Sequence, residues 1–93
     1  MECNMKVMIE KKCDEIKQFL IDKNIAYGNS ALEPINIFSK NTAVEQLAVR
    51  MDDKINRLKK GSEYLGDDTI KDLTGYLVLY MIAKDIETEI KRI

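Results

Sequence analysis

Histidine and tryptophan are both missing from this chain, proline occurs once, and glycine four times. Without histidine a Cys/His zinc site is excluded and few general bases are left. Cysteine is scarce as well. Cys3 and Cys13 sit ten residues apart in a segment that reads as helix. At about 1.5 Å of rise per residue they stand roughly 15 Å apart, too far for an intrachain bridge. A reduced, cytoplasmic setting is the expectation. Neither sign of charge dominates, with 15 Lys and Arg against 16 Asp and Glu for a net charge of −1. Lacking a basic excess, the chain is not expected to bind nucleic acid in general or a membrane surface. An anionic ligand would have to be held by a local patch. No apolar run reaches the length of a membrane span, and no basic start followed by an apolar stretch marks a signal peptide.

What is present is ordinary for a globular protein: 93 residues, 45% of them hydrophobic. That length is one domain, residues 1–93, whose core is modest enough to make homo-oligomerisation an expectation. Met5, Met8, Ile9, Cys13, Ile16, Phe19 and Leu20 recur at three- and four-residue steps, predicting an amphipathic helix from about Cys3 to Lys23 that stops at Asn24. The connection that follows, IAYGNSALEPINIFS, holds the lone proline, and Pro34 can open a short helical turn over residues 33–38. A second helix begins at Asn41 or Thr42, with Thr42 and Glu45 spaced as a capping box. Val44, Leu47, Ala48, Met51, Ile55 and Leu58 make its apolar stripe, and Gly61 ends it. Asp67 or Asp68 caps a third helix that runs to about Arg92. From Leu73 to Ala83 that helix is apolar on nearly every side, so its far side calls for cover from another subunit. The fold class is all-α: three main helices, a long structured loop between the first two, and a bundle completed by oligomerisation.

Arg50, Asp53, Lys54 and Arg57 are spaced 0, 3, 4 and 7 and share one helix face that flanks the apolar stripe. Three cations around one acid can hold phosphate. The plain alternative is a solvated face stitched by internal ion pairs. Asp68, Asp72 and Tyr76 share a face of the third helix. Asp72 lies just before the apolar run, where a covered carboxylate needs a partner. Arg50, Lys54 or Arg57 could supply one across the helix interface. Gly75 inside a helix costs about 1 kcal/mol relative to alanine, which points to close helix approach or room for a ligand. In Tyr27-Gly28-Asn29-Ser30 a glycine suited to positive φ precedes two short polar residues, a turn able to wrap an anion, although plain loops share this composition.

Taken in order, Tyr27-Gly28-Asn29-Ser30, a turn containing Phe38, Arg50-x-x-Asp53-Lys54-x-x-Arg57-Leu58, and Asp68-x-x-x-Asp72-Leu73-x-x-Tyr76 resemble the phage-borne nucleotide modification associated domain family, first type. The resemblance covers roughly residues 10 to 84. It implies nucleotide handling in the cytoplasm of an infected bacterium, with Tyr27, Asn29, Ser30, Arg50, Asp53, Lys54, Arg57, Asp72 and Tyr76 as functional residues, joined by Gly28 of the same turn. The pattern is also similar in style to the all-α nucleoside triphosphate pyrophosphohydrolases, which hold Mg²⁺ with carboxylates three residues apart. No two acids in this chain are spaced by three. The reading that follows is a small protein that captures a phosphorylated nucleotide, a cyclic or ADP-ribose-type immune signal being one candidate, and does not turn it over. The first alternative is a Mg²⁺-dependent nucleotide hydrolase or an accessory of nucleotide modification, with Asp53, Asp68 and Asp72 as ligands. The second is a helical interaction module. Under the first reading the long connection folds back over the second helix and presents Gly28 to Ser30 toward Arg50 and Lys54.

Overall fold

The computed structural model describes residues 4–28, 32, 33, 36, 40–61 and 68–92, with the backbone alone for Tyr27, Lys91 and Arg92. Three helices make up the fold: α1 (Met5–Tyr27), α2 (Ala43–Lys60) and α3 (Thr69–Arg92). No strand occurs among the described residues, and the fold class is all-α as the periodicities predict.

Most boundaries sit where capping chemistry puts them. The Thr42 hydroxyl accepts the Glu45 N–H at 3.2 Å to open α2. Gly61 closes it in the left-handed conformation, its N–H reaching the carbonyls of Arg57 and Leu58. Asp68 opens α3, its carboxylate accepting the Lys71 N–H at 2.9 Å. The first helix differs from expectation at both ends. It starts at Met5 rather than Cys3, because Asn4 adopts the extended cap conformation and its side chain accepts from Val7. It also runs past Asn24 to Tyr27 and stops only where Gly28, at φ 67°, donates its N–H to the Asn24 carbonyl. Asparagine is a weak helix former, not a breaker, so Ile25-Ala26-Tyr27 carry the helix one more turn. The turn expected to open at Pro34 falls largely on residues outside the described set. Asn36 is described, and its side-chain oxygen accepts from Gln46 at 3.1 Å, one point at which the connection touches α2.

The helices α2 and α3 lie antiparallel along each other, with Arg50 beside Tyr76 and Lys54 beside Asp72. Leu47, 1% exposed, anchors α2 in the interface, and Ala83 and Thr69 are buried on α3. The α2 stripe is rotated from expectation: Ile55 is exposed, whereas Lys54 turns inward. Lys54 lies almost in line with Leu47 on the helix, and Asp72 supplies the counter-charge that lets a lysine go there. Among the described residues α1 packs on α3 and not on α2. Gly75 makes that contact close, since a Cβ built on it would stand 2.9 Å from Leu20 Cδ2. Beyond this crossing cover is thin. The radius of gyration is 15.7 Å, against about 12 Å for a compact chain of this length.

Candidate ligand-binding cleft

Beside the close approach at Gly75, the last turns of α1 border a hollow together with α2 and α3. Its volume is about 330 Å³, at the lower end of the range of small-ligand sites. Phe19, Leu20, Gly75 and Leu79 make the apolar floor, and Lys23, Asn24, Arg50, Asp72 and Tyr76 supply the polar groups. Gly28, at the end of α1, and Leu32, four residues on, also line it. Three segments far apart in sequence thus meet around one space.

Asp72 is the electrostatic centre of the cleft. Its two oxygens take one ammonium each, Lys23 from α1 and Lys54 from α2, both at 3.3 Å. The Asp72 and Lys54 side chains are only 16% and 14% exposed, so this is a largely desolvated pair, while Lys23 is 47% exposed and more weakly held. Phe19 adds a second restraint. The ammonium groups of Lys23 and Lys71 lie 4.6 and 4.7 Å from its ring centroid, within cation–π range. Arg50 stands 6.0 Å from the centroid of Tyr76, at the outer limit of such contact, and no acid among the described residues pairs with it. Lys23 and Arg50 line the cleft against the single carboxylate of Asp72, which Lys54 also pairs, so the lining carries a net positive charge. A guanidinium beside an aromatic ring, with ammonium groups across the hollow, can take a phosphate at one end and a planar ring at the other.

Of the residues singled out from the sequence, Gly28, Arg50, Asp72 and Tyr76 line this cleft, and Lys54 joins it through Asp72. Asp53 is exposed and Arg57 half-buried, and neither lines the cleft. Asn29, Ser30 and the Tyr27 side chain lie outside the described residues. The trio Asp53, Asp68 and Asp72 does not form a metal-ligating group: among the described residues no three His, Cys, Asp or Glu side chains gather in that way. Asp68 is occupied as the cap of α3, and Asp72 is neutralised by two lysines.

Lys23 and Phe19 were missing from the sequence-derived site. Phe19, Lys23 and Tyr27 are spaced i, i+4 and i+8, which places them on one face of α1 leading to the Gly28 turn. That spacing was the available signal, hidden because Phe19 also fits the apolar stripe and Lys23 the polar side. Compared with known proteins, the chain matches no family model, no curated protein and no solved structure, so the resemblance to the nucleotide modification associated domain rests on its motif residues alone.

Proposed function

We propose that this protein captures a small phosphorylated nucleotide in the cleft between α1, α2 and α3 and releases it unchanged. The observation that carries this reading is the meeting of Lys23 and Arg50, from two separate helices, beside Tyr76 and Phe19 in one cavity, with Lys54 paired to Asp72 in its wall. Arg50 takes a phosphate bidentately, Lys23 adds a mobile point charge, and an aromatic ring stacks on the base. The carboxylates near the cleft are committed to a helix cap and to lysines, which favours holding a ligand over hydrolysing it. In a phage-infected cell such a protein would act as a sponge for cyclic or ADP-ribose-type immune signals, an anti-defense role, and these are the first ligands to try.

Calorimetric titration with cyclic dinucleotides, ADP-ribose and nucleoside triphosphates tests the proposal. One of these should bind at micromolar concentration or below, and Arg50→Ala or Lys23→Ala should weaken it at least about tenfold, a loss of roughly 1.4 kcal/mol or more. Ligand recovered by heat-denaturing the complex should have its original mass. Turnover in the presence of Mg²⁺ would replace the binder with an enzyme, and no binding at millimolar ligand would end the nucleotide reading.

A further inference from the structure

The two ends of the molecule leave apolar side chains in water. On α1, Met5 is 61% exposed, and Val7, Met8 and Ile9 are similarly open. The same α1 stripe is half-buried only at Ile16, Phe19 and Leu20, where it meets α3. On α3, Met81, Ile82, Ile86 and Ile90 are all exposed.

Surface area indicates how large the missing cover is. The chain exposes 7804 Å², whereas a compact monomer of 10.7 kDa exposes about 5,500 Å². The surplus of about 2,300 Å² exceeds the roughly 800 Å² per partner that a standard interface buries. Every described residue from Asn4 to Glu15 is exposed, and a helix of about a dozen residues with no cover is marginal in water. A partner that must always be present, in equal number, is most simply another copy of the same chain.

We infer that a second copy of this chain covers the first half of α1 and the second half of α3, extending the bundle that Leu20 and Gly75 begin. One face of α1 serves both contacts: its later turns meet the chain's own α3, and its earlier turns meet the neighbour. This surface is separate from the cleft and does not depend on what the cleft binds.

Light scattering of the eluting full-length chain between 5 and 200 µM should give at least twice 10.7 kDa. A mass of 10.7 kDa at every concentration would overturn the inference. Ile9→Lys and Ile86→Lys alter residues already exposed within one chain, so each should raise the apparent dissociation constant at least tenfold. An oligomer that tolerates both overturns this choice of surface. Hydrogen exchange on the unaltered protein decides the matter should either variant fail to fold. Amides of residues 8–13 should exchange slowly in the assembled protein, and exchange there at free-peptide rates counts against the inference.

Discussion

The carboxylate of Asp72 accepts an ammonium from each neighbouring helix, so one side chain ties α1 and α2 to α3. Removing it leaves Lys54 desolvated without a counter-charge. Asp72→Ala should therefore lower the unfolding free energy by about 2 kcal/mol in urea denaturation, below the full cost of breaking a buried pair because Lys23 is half exposed. Gly75 is the residue on which the crossing of α1 and α3 depends. A valine there would collide with Leu20 and Phe19, costing about 1–3 kcal/mol and filling the floor of the cleft, so Gly75→Val should lose both stability and ligand binding. On the surface of α1, Lys12 and Glu15 pair at 2.8 Å. The hydrogen bond and charge of Lys12 hold the Glu15 carboxyl below its ordinary range. Because the folded form is the more acidic, this contribution is present at neutral pH and fades as pH falls through the carboxylate range. Circular dichroism should show Glu15→Gln abolishing that small acid-dependent loss of helix.

Helix ends follow local rules, and for that reason they were largely legible in the sequence. Thr42, Gly61 and Asp68 each act at the position their chemistry indicates. Thr42→Ala should cost about 1 kcal/mol, measured by thermal unfolding, since the Glu45 N–H loses its acceptor. The end of α1 was misread because asparagine and glycine both occur at helix C-caps, and only backbone conformation shows that Gly28 and not Asn24 acts as one here. Gly28 has open space around the place of a Cβ, so its value lies in φ 67° alone. Gly28→Ala should destabilise by roughly 1 kcal/mol through that strain, with the cleft lining otherwise intact. Orientation between helices was less legible. The Asp72–Lys54 pair was among the partners expected, since α2 and α3 are neighbours in sequence and pair lengthwise. Lys23 was not foreseen, because its approach to Asp72 depends on how α1 crosses α3 at Gly75. No spacing within α1 encodes that crossing.

At the scale of the whole molecule, an elongated chain with few buried side chains among its described residues is poorly equipped to be stable alone. If copies associate through α1 and α3, the thermal midpoint should rise with protein concentration, which differential scanning calorimetry at two concentrations reads directly. The cleft adds a link between folding and binding. Asp72 occupies, with its own negative charge, the position that an incoming phosphate would find most attractive. It is thus a built-in rival for the two lysines, holding them in place while the cleft is empty. Asp72→Asn should consequently split two properties that usually fall together: the ligand-free protein melts earlier, yet an added anionic nucleotide raises its melting temperature by more than it raises that of the unaltered chain.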